Sequence, residues 1–192
     1  MSTAIVNNPV ANSSPRLQAR IAGAFYAVNV VTSLVAFSGT GGPRLAFVCG
    51  LIATASYVAV TGIFFVLFKP VDKRLSLIAA AFSLLGCAPG ILSQFHVKPY
   101  PISPLVFFGA YCVLIGYLIL RSTFLPRILG VLMMLAGVGW LTFISPPLAK
   151  ALSPYTYYPG GIGEISLCLW LLAVGVNEER WKAQAGATRE HF

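Results

Sequence analysis

One acidic residue, Glu164, stands inside an apolar run of the chain. A carboxylate at membrane depth is costly to place and is a functional candidate by default, as a proton acceptor or a cation-binding group. It lies about four residues into its run, roughly 6 Å along a helix, in what reads as the first turn after Pro159. The positive end of the helix dipole favours a carboxylate there for structural reasons as well, and a bond to a neighbouring helix completes that structural reading. Asn29, Gln94 and Ser33 are polar residues of other runs that fall at similar or greater depth. With Glu164 they form a candidate intramembrane polar patch, and Lys98, His96 or Lys150 of the connecting segments could pair with the acid. Asn29 also reads as a packing contact between helices, a bond of about 1 kcal/mol or less in membranes. Pro89 and Gly90 form a candidate helix kink, since proline removes a backbone donor and clashes with the turn before it. Broken helices of that kind line transporter sites.

Other chemistries lack their residues. Cys49, Cys87, Cys112 and Cys168 fall in four different runs without zinc-ligand spacing, and read as small apolar residues. The two histidines, His96 and His191, lie outside the runs, so no haem can be held by paired in-span histidines. The only aspartate, Asp72, sits in a connection and reads as a solvated loop charge, which removes an intramembrane aspartate pair. Metalloprotease, serine-hydrolase and phosphate-loop motifs are absent. No catalytic set, metal or cofactor is expected.

The elements that must position the patch follow from composition. The chain has 192 residues, 57% apolar and 9% charged, far fewer charges than a soluble domain needs to cover its surface. The apolar residues fall into six blocks: Ile21–Phe37, Leu45–Phe68, Leu75–Phe95, Pro104–Leu120, Ile128–Ile144 and Gly160–Val176. Each is close to the length that crosses a bilayer as a helix, and none alternates as a barrel strand does. The fold class expected is all-α: a polytopic membrane protein with a six-transmembrane-helix bundle. Residues 1–17 form a polar tail, 18–177 the membrane domain and 178–192 a second tail.

Basic residues orient the bundle. Ten of the thirteen Lys and Arg residues fall in the tails and in the connections after spans two and four, and only Arg44, Lys98 and Lys150 on the other side. By the positive-inside rule both termini are cytoplasmic, in a plasma or inner membrane. The net charge of +8 is then largely a topology signal, and it attracts anionic headgroups rather than nucleic acid. Arg16, Arg20 and the small-residue stretch Ala36-Phe37-Ser38 resemble a signal peptide, but the long leader and long apolar run favour a retained span.

Small and polar residues recur at helical spacing. Ala22, Tyr26, Asn29 and Ser33 share a face of span one, and Gly50, Thr54 and Thr61 one of span two. Span three has Ala79, Ser83, Gly86, Cys87 and Gly90, and span four has Gly109, Cys112 and Gly116. Gly130 and Gly137 mark span five; Gly161, Glu164, Cys168 and Gly175 mark span six. Such faces pack helix against helix in lipid, which predicts a compact bundle without a broad aqueous pore.

Several stretches carry a family resemblance. They include Arg20-Ile21-Ala22-Gly23, Phe68-Lys69-Pro70-Val71-Asp72-Lys73-Arg74, Phe107-Phe108-Gly109-Ala110-Tyr111-Cys112, Phe124-Leu125-Pro126-Arg127-Ile128-Leu129-Gly130 and Gly163-Glu164-Ile165-Ser166-Leu167. Together they resemble the bacterial multi-pass membrane family filed as domain of unknown function 4386, from about Arg20 to Trp181. The resemblance implies a small multi-pass plasma-membrane protein and no particular activity.

Three functions fit these observations. The leading one is a non-catalytic accessory, sensor or lipid-interacting bundle. The second is a small transporter or permeation module using Glu164, Asn29 and Gln94, with homo-oligomerisation through a small-residue face to build a wider pathway. The third is a membrane enzyme acting on a lipid or quinone. The partners expected are membrane lipids, a small hydrophobic ligand and a second copy of the chain, and no nucleic acid. A cavity lined by Glu164 and Asn29 would favour the second reading, and a filled core the first.

Overall fold

The computed structural model describes residues 14–94 and 102–189. Among these the chain is all-helical: α1 (Pro15–Ser38), α2 (Gly42–Phe68), α3 (Lys73–Gln94), α4 (Pro104–Arg121), α5 (Arg127–Leu141), α6 (Pro146–Leu152), α7 (Tyr157–Ala173) and α8 (Glu178–Arg189). A short 3₁₀ turn, Thr142–Ile144, extends α5. Proline and hydroxyl residues set several starts. Ser14 accepts a bond from the Leu17 N–H at 3.2 Å, and Ser103 one from Leu105 at 3.4 Å, each just ahead of a proline in the first turn.

Six helices form a closed ring. Each of α1 to α5 packs on its chain neighbours, α7 packs on α5, and α7 returns to α1. The closest seam joins α4 and α5. A Cβ at Gly116 would stand 2.6 Å from the Gly130 carbonyl oxygen, and one at Gly130 2.7 Å from that of Gly116. One heptad away, a Cβ at Gly137 would meet the Gly109 carbonyl oxygen at 2.6 Å. Only glycine admits such backbone contact, so the seven-residue glycine spacing of both helices is a packing code. Gly23 likewise lets α1 lie against the backbone of Leu171 and Leu172. Between α2 and α3, Thr61 and Ser83 share a buried hydroxyl hydrogen bond of 2.6 Å.

One end of the ring is tied together by polar groups. Arg16 Nε donates to the Val174 carbonyl at 3.2 Å and Arg20 to that of Ala173 at 2.8 Å, so the start of α1 caps the end of α7. Asp72 is not the free loop charge expected of it. It caps α3 through the Leu75 N–H at 3.0 Å and meets Arg121 at 3.3 Å, joining two connections. The segment expected as a C-terminal tail folds as α8. Asn177 caps it through the Arg180 N–H, and Trp181 Nε1 donates to the Leu67 carbonyl at 2.9 Å. The tails and connections that carry ten of the thirteen basic residues therefore meet at this end.

Four helices, α1, α2, α4 and α5 with its 3₁₀ extension, are long and apolar enough to cross a membrane. α7 with α8 adds a fifth if they are taken as one span, although they are bent 103° apart. This is a narrower result than the six spans expected. α7 has 17 residues, and α3 runs up to the undescribed residues 95–101. Apolar residues are exposed on the outward faces of both, Leu77 and Leu85 on α3 and Leu169 on α7, as Val31 and Leu34 are on α1 and Ile128 and Val138 on α5.

Candidate functional site

Glu164 is held by three side chains from three other helices. Tyr26 on α1 donates its hydroxyl to Oε2 at 3.0 Å, and Trp140 on α5 donates Nε1 to Oε1 at 2.8 Å. The Cys112 thiol on α4 lies 3.9 Å from Oε1. All three donors are neutral. Burying a carboxylate demands such partners, since each unmet lone pair carries a desolvation cost.

The expected helix-start role does not fit. α7 begins at Tyr157, not Gly160, so Glu164 stands seven residues in, roughly 10 Å along the axis. The helix dipole acts within the first turn, and side-chain donors take its place. The indole reaches Glu164 because Gly160, one turn earlier on α7, has no side chain: a Cβ there would fall on the Trp140 ring.

Aromatic rings surround the acid. Tyr26 meets Tyr57 edge to face at 5.9 Å between centroids, Tyr57 meets Phe108 at 5.0 Å and Tyr111 at 5.9 Å, and Trp140 meets Tyr157 at 5.9 Å. These edge-to-face contacts are the favourable aromatic geometry. The Tyr111 hydroxyl is buried without a hydrogen-bond partner.

A cavity of about 630 Å³ opens beside this cluster. All six ring helices line it, at the end away from Arg16 and Arg20. Asn29, Ser33 and Glu164 share its wall with Thr54, Tyr57, Cys87, Phe108, Trp140 and Tyr157. Three of the four patch residues read from the sequence thus come together. The side chain of Gln94, the fourth, lies outside the described residues, as do Lys98 and His96. Asn29 is anchored: its amide donates to the Ala53 carbonyl of α2 at 3.0 Å. Lys150 is exposed on α6 and makes no ion pair with Glu164. Pro89 lies inside α3, which continues as helix through Gly90 to Gln94, so no break separates two half-helices there.

Tyr26 was expected on a packing face, but neither it nor Trp140 was assigned to the acid. Inside apolar runs a tyrosine or tryptophan resembles bulk packing. The usable signal was the spacing of Tyr26, three residues before Asn29 on the polar face of span one. In span six the contact glycines are Gly160 and Gly163, whose absent side chains admit Trp140 and the Leu132 carbonyl, whereas a Cβ at Gly161 would meet nothing within 4 Å. Gly175 lies past the helix in a left-handed conformation with φ of 76°.

Residues 92–175 match the model of a family described as Domain of unknown function (DUF4386). The resemblance read from the sequence therefore holds over this stretch, which spans Cys112, Trp140 and Glu164 but not α1 or α2. A protein of Archaeoglobus fulgidus, described as an uncharacterized protein, is 28% identical over 129 residues, covering 62% of this chain and 76% of its own length. No solved structure matches the chain.

Proposed function

We propose that this DUF4386-matching chain is a non-catalytic plasma-membrane protein that binds a small amphipathic molecule. Its cavity, which Glu164, Asn29 and Ser33 line, carries the reading. In this reading all six ring helices cross the bilayer, and the basic end of the ring, with both termini, faces the cytoplasm. The distribution of Lys and Arg supports that orientation. The cavity then opens toward the outer leaflet. Its size is in the range of small-ligand sites, and its wall is apolar apart from a few convergent polar groups, as such sites are.

The test is mass spectrometry of small molecules released from the purified chain, compared with a Gly161→Phe variant. Gly161 lines the cavity, and a Cβ there meets nothing within 4 Å, so the position admits a side chain, and phenylalanine is chosen to take up cavity space. The expected result is a compound at about one per chain that is lost in the variant. A compound retained in full by the variant would place binding elsewhere.

A transporter is the second reading, and the cavity lined by Glu164 and Asn29 is the observation that favours it; the filled ring beside that cavity keeps the binding reading first. Below Glu164 the ring is filled by Phe64, Leu118, Met133, Leu167 and Leu171, all buried. A ring filled on one side of the cavity is also what one state of an alternating-access carrier presents. Accumulation of the identified compound in proteoliposomes separates carrier from sensor.

A further inference from the structure

The cavity's chemistry goes further than its existence, and we infer that it is built for an organic cation: an ammonium or phosphonium group carried on an apolar body. The inference rests on the ligand-binding reading above and names the class of ligand.

Three observations point the same way. First, among the described residues Glu164 is the only charged one lining the cavity. Second, among the described residues its carboxylate has donors but no counter-ion. Tyr26, Trp140 and Cys112 are uncharged, and among the described residues the ion pairs are Arg121–Asp72 and Lys182–Glu178, both on the far end of the ring. Each carboxylate oxygen accepts about two bonds, so the three donors leave room for a ligand's own contact. Third, the wall beside the acid is aromatic. Tyr57, Phe108, Trp140 and Tyr157 all line the space, so aromatic side chains from four of the six ring helices border it. A cation beside aromatic faces gains by its attraction to the ring quadrupole, most strongly when desolvated. An anion or a neutral molecule gains neither contribution, and an anion meets repulsion from Glu164.

The sign of charge is the property to test, with everything else held constant. Tetraphenylphosphonium and tetraphenylborate have nearly the same size, shape and apolar surface and opposite charge. Binding of each to the full chain in maltoside micelles is followed by equilibrium dialysis, with protein-free micelles as the blank. We expect tetraphenylphosphonium to saturate at one per chain, tetraphenylborate to bind at least tenfold more weakly, and Glu164→Gln to erase most of that difference. Equal saturable binding of the two ions by the wild-type chain would overturn the cation inference while leaving the ligand-binding reading intact. Saturable binding of neither ion would overturn the cation inference, and the ligand-binding reading then stands or falls with the released-compound experiment. Should Glu164→Gln fail to fold, the wild-type comparison still decides. Tyr157→Leu then takes its place: Tyr157 lies at the exposed rim of the cavity, and its loss should weaken tetraphenylphosphonium several-fold. No weakening would count against the aromatic part of the site.

Discussion

The indole of Trp140 occupies the space that Gly160 leaves on α7, and from there its N–H reaches Glu164 one turn on. A glycine, a tryptophan and a glutamate thus form one device. Trp140→Phe keeps the ring but removes the donor, and should lower stability in detergent by about 1–3 kcal/mol, the cost of leaving a buried acceptor without its donor. Gly160→Ala should cost more, because it displaces the ring as well. Thermal unfolding and tryptophan emission distinguish the two: emission should shift in Gly160→Ala, and an unshifted spectrum would contradict the seating described.

The α4–α5 seam makes a separate prediction. Gly116→Ala or Gly130→Ala each pushes a methyl group against the opposing backbone and should destabilise by about 1–3 kcal/mol, as overpacking does. Since both methyl groups act on the same contact, the double variant should cost less than the two singles combined. Strict additivity in unfolding experiments would mean that the helices do not touch there.

Asp72 has two partners of unequal worth. The pair with Arg121 is partly solvent-exposed, 49% at the arginine and 28% at the aspartate, and surface bridges contribute about 0–1 kcal/mol. The cap on α3 contributes about 1 kcal/mol. Asp72→Asn keeps a capping oxygen and should be close to wild type, whereas Asp72→Ala should lose about 1 kcal/mol. Equal losses in both variants would assign the stability to the ion pair instead.

α8 is anchored through the Trp181 indole on the last turn of α2, with Arg180 reaching the Thr123 carbonyl at 3.4 Å. Trp181→Phe should loosen α8 without disturbing the ring. Limited proteolysis should then cut faster within residues 178–189, with the melting of the ring unchanged.

How much of this was legible in the sequence depended on the residue. The glycines of α4 and α5 were readable because a heptad spacing puts them on one face whatever the neighbour is. Glu164 was readable because charge in an apolar run is rare. Its setting was not: the helix begins three residues before the apolar block does, at Tyr157-Tyr158-Pro159, because tyrosine and proline fit a first turn without being strongly apolar. The partners of Glu164 come from α1, α4 and α5, and no local pattern reports which helices a ring brings together. α8 was hidden for the opposite reason. Its composition is that of a soluble tail, and only the docking of Trp181 and the Asn177 cap make it an element of the fold. α6 opens on Pro146-Pro147, which on sequence alone reads as a turn.

Closure of the ring between α1 and α7 has a consequence for how the chain is made. Synthesis proceeds from the N-terminus, so Tyr26, Cys112 and Trp140 are made before the helix that needs them. The acidic segment is the last ring helix to leave the ribosome, and it meets a gap already furnished with its three donors. A nascent chain stopped before Tyr157 would be an open arc with those donors unclaimed.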